Sequence, residues 1–195
     1  MNFLAHLHIA EHCQSDLLGN LLGDFVKGNP YDKYPHDVAS GILMHRFVDS
    51  YTDSHDVMRH CKSQFASERR RYAFIALDMF WDHCLADSWQ HYHDKELAEF
   101  CHLAKTRVQQ SSVEVPQRFQ LVSEKMWQQH WLESYRDFDT VLYALERMST
   151  RSLRMAPLAT CAVDLKKHYS CFYDLFAQFY PELLHAASSY SPKDK

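Results

Sequence analysis

Four stretches of this chain carry polar and ionisable side chains where a helical pattern calls for apolar ones. In PHDVASGILMHRFVDSYTD, a rotation of 100° per residue puts His45 and Asp49 on one stripe with Val38 and Ile42, and Thr52 lies beside them. The other side carries Leu43, Phe47 and Tyr51, so this helix is apolar nearly all round and belongs inside a domain. Its His and Asp must then be paired, with each other or with a ligand, because an unpaired buried charge is very costly. In RYAFIALDMFWDHCLADSW, Asp78 and Asp82 stand one turn apart on a stripe with Ile75, Leu85 and Trp89, and Arg71 lies two turns upstream. Two carboxylates on one apolar face repel unless a cation separates them. Arg71 could be that cation, and so could a divalent metal, for which carboxylates are natural ligands. His83 points about 100° away from Asp82 and is the weaker ligand candidate.

The same pattern recurs upstream. In SDLLGNLLGDFVKGN, Asn20 and Asp24 share a stripe with Leu17 and Leu21. Near the start, Asn2 and His6 share a face with Ile9 and Ala10. A buried His–Asp bond or a satisfied core histidine explains any one of these. Four together within the first 90 residues, with plain Leu, Phe, Trp and Tyr faces afterwards, place a single site in the N-terminal half. Its candidate members are His6, Asp24, His45, Asp49, Asp78 and Asp82. Mixed imidazole and carboxylate donors suit Mn²⁺, Fe²⁺, Mg²⁺ or Zn²⁺ and exclude an all-thiolate centre.

The elements that must position these residues read as helices almost throughout. Apolar residues recur at spacings of three and four, and no run alternates as a strand would. The expected helices cover about 2–12, 15–28, 36–53, 55–66, 68–92, 95–111, 117–134, 138–150 and 157–180, with a short helix after Pro181. Ser15 and Ser54 are candidate N-caps, and Gly28 is a candidate C-terminal stop. All four glycines fall between positions 19 and 41, and Gly19 and Gly23 are one turn apart. Glycine within a helix costs about 1 kcal/mol against Ala. Something must therefore approach that backbone closely, either a neighbouring helix or the crowded site itself.

The 195 residues are 46% hydrophobic, which suffices for one packed domain. An all-α bundle over residues 1–190 with a flexible tail at 191–195 is expected. The net charge of -4 argues against a nucleic-acid binder. The N-terminus lacks a basic n-region, and no apolar run approaches the ~18 residues of a membrane span. The six cysteines include no C-x-x-C pair, and free thiols in a reducing cytoplasm are the simplest expectation.

The blocks NFLAHLHIA (2–10), GNLLGDFVKGN (19–29), MHRFVDSYTD (44–53) and LDMFWDHCL (77–85) resemble, in order and spacing, the signature blocks of the acyl carrier protein phosphodiesterases. Similarity continues through WLESYRDFD (131–139) to about residue 185. That family is described as an unusual branch of the HD phosphohydrolases, all-α metal enzymes with ligands in the order His … His-Asp … Asp. The adjacent pairs here, His36-Asp37, His55-Asp56 and His93-Asp94, fall in expected loops or helix ends.

The resemblance implies hydrolysis of the phosphodiester that joins phosphopantetheine to a serine of holo-acyl carrier protein. It implies His6, Asp24, His45 and Asp82 as ligands of a divalent metal, with Mn²⁺ placed first. Asp49 and Asp78 become supporting carboxylates or the base, and Arg46 and Arg71 become holders of phosphate oxygens. The carrier is acidic, so a local basic patch should receive it. Candidates are Arg59, Lys62 and Arg69–Arg71, and the Arg147/Arg151/Arg154 stripe. Two rival readings are an HD-type phosphohydrolase acting on nucleotides and a helical module that binds acyl carrier protein without turning it over.

Overall fold

Two helices are apolar on every side, and the rest of the chain wraps them. The first, α1 (Phe3–His12), buries Leu4 through Ala10 without interruption. The other, α5 (Ala73–Asp87), buries Leu77, Phe80, Trp81 and Leu85 completely. Such helices have no solvent face and must lie at the centre. In the computed structural model, which describes residues 1–192, α1 and α5 pack directly together.

The remaining helices are amphipathic and turn one stripe inward. Over α1, α3 and α5 lies α11 (Tyr169–Ser188), with Phe172, Phe176, Phe179, Tyr180 and Leu183 buried at helical spacing. On the site side, α2 (Leu17–Leu22) and α3 (His36–Ser54) pack on α1. The far flank of α5 is covered by α4 (Asp56–Ser63), α9 (Phe138–Ser149) and α10 (Cys161–Lys167). Finally α6 (Leu97–Gln110), α7 (Gln117–Gln128) and α8 (Trp131–Ser134) close the side next to α2. The all-α bundle is as expected, with eleven α-helices and no strand among the described residues. None of these helices is long and apolar enough to cross a membrane. Of the expected tail, residues 193–195 lie outside the described residues.

Several boundaries differ from the sequence reading, each for a local reason. The helix expected over 15–28 ends at Leu22, where the amides of Phe25 and Val26 fold back onto the Leu22 carbonyl. Its cap is Asp16, not Ser15: Gly19 N–H donates to the Asp16 carboxylate at 2.6 Å. Likewise His55, not Ser54, caps α4, its Nδ1 accepting from Val57 N–H. The helix expected over 68–92 is flanked by 3₁₀ turns at Arg70–Tyr72 and Trp89–His91. His130 adopts φ 52 and breaks 117–134, and α10 and α11 are separated at His168. Pro181 does not end α11, because Tyr180 and Leu183 on either side of it are both buried in the core.

The glycines resolve into two roles. A Cβ on Gly19 would sit 2.3 Å from the Val38 carbonyl oxygen and 2.9 Å from Gly41 Cα, so Gly19 and Gly41 let the backbones of α2 and α3 touch. At Gly23 a Cβ would instead collide with the His45 ring at 2.1 Å, so that position is kept clear for a site residue. Gly19→Ala should therefore destabilise the fold by about 1–3 kcal/mol, since backbone cannot yield as a side-chain tip can. Urea denaturation checks this, and a midpoint within error of the parent would mean that α2 can slide away from α3 at little cost.

Candidate metal centre and active site

The site is assembled from the three core-facing elements and one loop. On α1, the position of His6 is set from below. Asp82 on α5 is completely buried, and its two oxygens accept from Leu4 N–H at 2.8 Å and Ala5 N–H at 3.1 Å. It therefore caps α1 from another helix, where the N-cap residue Asn2 offers no side-chain bond. On α3, His45 and Asp49 are one turn apart and both face α1. The His45 ring stacks on the His6 ring, with centroids 3.8 Å apart and 16° between planes.

Asp49 joins the two imidazoles. Its oxygens stand 3.1 Å from His6 Nε2 and 3.0 Å from His45 Nε2. Burial opposes ionisation of Asp49, but the imidazoles and the α-amino group of Met1 outweigh it and hold this carboxyl well below its ordinary range. An ionised Asp49 can only accept, so His6 Nε2–H donates to it and His6 Nδ1 is left buried and unpartnered. His45 Nδ1 donates to the Asn20 carbonyl at 2.7 Å, which fixes the ring and turns Nε2 into the site. Nε2 also lies 3.5 Å from Asp24 in the loop after α2, but meets neither carboxylate at a hydrogen-bonding angle. Burial lowers the pKa of His6 to about 4, helped by its neighbour His45. Burial would lower His45 too, but Asp24 and Asp49 overcome it and raise that ring to about 9. Two rings stacked this closely cannot both carry a proton cheaply, and the carboxylates decide which one does.

Among the described residues, the buried side-chain polar atoms without a hydrogen-bond partner are His6 Nδ1, His45 Nε2, Asn20 Oδ1 and Thr52 Oγ1. Two of them, His6 Nδ1 and His45 Nε2, belong to the stacked pair of rings, and buried unsatisfied groups call for an explanation. His6, His45 and Asp49 offer ligand atoms that all lie within 4.8 Å of one another, a spread one divalent cation can bridge at metal–ligand distances near 2.0–2.2 Å. Asp24 adds a fourth donor at the solvent side. Donor chemistry and stranded nitrogens thus fit a metal.

The other sequence candidates are placed differently. Asp78 does not share a cation with Asp82; its partner is the α-amino group of Met1 at 2.8 Å, which also lies 3.5 Å from Asp49. Asp82, engaged under α1, is not in the His6–His45–Asp49 group. Arg46 donates to the carbonyls of Val26 and Gly28, so its fork faces backbone and not the cluster. Arg71 is exposed in a 3₁₀ turn with its guanidinium over the Tyr72 ring. His83 is buried between the Tyr135 carbonyl and the Tyr169 hydroxyl, away from the group. The Met1 amino group and the Asn20 carbonyl escaped sequence reasoning because backbone groups leave no signal in residue types.

The sequence matches the profile of a family described as acyl carrier protein phosphodiesterase over residues 1–183. The chain belongs to the acyl carrier protein phosphodiesterase family. Curated relatives bearing that name include proteins of Pectobacterium atrosepticum, 40% identical and covering 97% of this chain and 98% of the relative, and of Escherichia coli, 42% identical over 96% and 98%. A Yersinia pestis relative is 39% identical over 96% and 97%. No solved structure matches the chain. Within this phosphodiesterase family member, the adjacent His-Asp pairs do not form the centre: His36 opens α3, His55 caps α4, and His93-Asp94 follows a 3₁₀ turn. A His-x-x-x-Asp pair on one helix, His45 and Asp49, stands at the centre instead.

The capping role of Asp82 has a pH signature. Burial raises its pKa to about 7. A carboxyl raised in the folded state contributes its stability below its unfolded pKa of about 3.9, and that contribution is lost as pH rises through the folded value. The unfolding free energy of the parent minus that of Asp82→Asn should therefore fall between about pH 4 and pH 7 and stay level above. A difference that is flat across this window would show that Asp82 is already ionised throughout it.

Proposed function

We propose that this chain hydrolyses the phosphodiester between phosphopantetheine and the serine of holo-acyl carrier protein, using a divalent metal held by His6, His45, Asp49 and Asp24. The observation that carries the metal reading is the group of three convergent donors with two stranded imidazole nitrogens. The family and the curated relatives carry the substrate. Water adds to phosphorus, the bond from phosphorus to the serine oxygen breaks, and the serine oxygen takes a proton, giving apo-carrier and 4′-phosphopantetheine.

A divalent cation at this centre supplies charge neutralisation for the phosphodiester and acidifies water. The rest falls to side chains. His45 is locked by Asn20, so it presents one nitrogen in one direction. Asp49 is held ionised by its neighbours. Asp78 is half-exposed beside it and raised by burial against the opposing pull of the Met1 ammonium, which suits a group that takes and returns a proton. Mn²⁺ is the first ion to try. Free thiols at all six cysteines accord with a reducing compartment.

The carrier's landing place is proposed from charge. Arg69 is committed to Asp164 at 2.5 Å and to Glu68, so it ties α10 to the turn before α5 and is removed from the docking candidates. Arg70 bonds the Phe65 carbonyl. Arg71, Arg147, Arg151 and Arg154 are exposed. The Tyr72 hydroxyl donates to the Arg154 carbonyl, which joins the two basic segments into one face. Arg71 stands seven residues upstream of Asp78 in the chain, in the turn that leads into α5.

Two measurements test this reading. Purified protein with Mn²⁺ should remove about 340 Da from holo-carrier, as seen by mass spectrometry, and Asp49→Ala or His45→Ala should lower turnover at least about 100-fold with the fold intact. No mass change with Mn²⁺, Mg²⁺, Fe²⁺ or Zn²⁺ would sink the activity. For docking, Arg151→Glu with Arg154→Glu should lower kcat/KM several-fold, leave kcat nearly unchanged and flatten the salt dependence. Unaltered kcat/KM and salt response would move the landing place elsewhere.

A further inference from the structure

Asp24 is the least secured member of the centre. Its side chain is 66% exposed, it lies beyond the end of α2, and its approach to His45 depends on the shape of the loop that carries it. Three features set that shape. Phe25 packs edge-on against Phe119 of α7, with ring centroids 5.3 Å apart. Gly28 takes φ 80, a left-handed conformation with no neighbour crowding its missing side chain. Arg46, the residue after His45 on α3, donates from Nη1 to the Gly28 carbonyl at 2.8 Å and from Nη2 to the Val26 carbonyl at 2.7 Å.

The last contact is unusual in what it joins. A guanidinium fork spans two carbonyls two residues apart, which requires both to point the same way. Charge-assisted bonds of this length are among the stronger ones a loop can make. Adjacent residues on α3 thus act on the two ends of one arrangement: His45 faces the centre, and Arg46 grips the loop that brings Asp24 to it. Of the three features, the Arg46 grip alone comes from the helix that also carries His45 and Asp49.

We propose that Arg46 is a positioning residue, which holds the 23–29 loop so that Asp24 reaches the metal centre. The proposal rests on the reading of His6, His45, Asp49 and Asp24 as that centre, and it replaces the expectation that Arg46 binds a phosphate oxygen. Loss of a residue that orients a metal ligand typically costs about 10–100-fold in affinity.

The test uses the full chain and reads the loop separately from the chemistry. Hydrogen exchange on metal-free protein should show the amides of 24–29 exchanging about tenfold faster or more in Arg46→Ala, with the core helices unchanged. Mn²⁺ affinity by calorimetry should fall about 10–100-fold. Arg46→Lys, with one point charge in place of a fork, should fall between. Gly28→Ala, which strains the same loop without touching α3, should reproduce both effects. In an Asp24→Asn background, Arg46→Ala should weaken Mn²⁺ little further, because the two act as a unit.

The proposal is overturned if loop exchange is unchanged in Arg46→Ala. It is equally overturned if the loop loosens while Mn²⁺ affinity holds, or if only KM rises, which would mark a phosphate contact. Should Arg46→Ala fail to fold, Arg46→Lys and Gly28→Ala carry the same readings. If instead Asp24→Asn binds Mn²⁺ and turns over as the parent does, the centre itself is misassigned, and an unchanged loop in that variant separates this outcome from a failure of Arg46.

Discussion

A carboxylate buried at the start of a helix anchors this structure. Asp82 accepts the first free amides of α1 from the adjoining helix α5, with both oxygens engaged and no exposure to solvent. Burial makes an ionised aspartate costly and raises this carboxyl to about 7, and the amides at the positive end of α1 offset part of that cost. The pairing fixes where α1 begins and how it is rotated against α5. His6 lies one residue beyond the amides that Asp82 holds, so the stack of His6 on His45 follows from that fixed start.

Charge in the site is arranged in excess of what the protein itself can balance. Asp24, Asp49 and Asp78 line its open side, and the compensating groups are the His45 ring and the Met1 amino group. That amino group is itself raised to about 11, because Asp78 and Asp49 outweigh the cost of burying it. A phosphodiester brought to such a rim meets like charge. In the proposed metal reading, an added divalent cation would reconcile the two.

Close packing of α2 on α3 makes the loop geometry possible. Gly19 against Gly41 brings the backbones into contact, so the Asn20 carbonyl reaches His45 Nδ1 and the chain leaves α2 beside the His45 ring. Larger residues would push α2 outward and carry both the Asn20 carbonyl and Asp24 with it.

Periodicity by itself determined the all-helical class, the interior position of α5, and the concentration of the candidate site in the first 90 residues; α3, expected to be apolar all round, instead buries one side and leaves Leu43, Phe47 and Tyr51 partly exposed, because only α1 and α5 are covered on every side. Those properties depend on which residues recur at three and four, and sequence carries that directly. The grouping of His6, His45 and Asp49 with Asp24 was legible because each broke an apolar stripe or stood just past one. Roles within the set were decided by tertiary structure. Asp49 and Asp82 have the same side chain and each follows a histidine or aspartate by one helical turn, yet one meets imidazoles and the other meets the amides of α1. Arg46 and Arg71 likewise differ only in what faces them. Helix ends also lay beyond the pattern, since a cap such as Asp16 or a left-handed residue such as His130 acts through a few local bonds. A stripe specifies that a polar group is buried; its partner comes from another part of the chain, and only the packing of helices far apart in sequence supplies it.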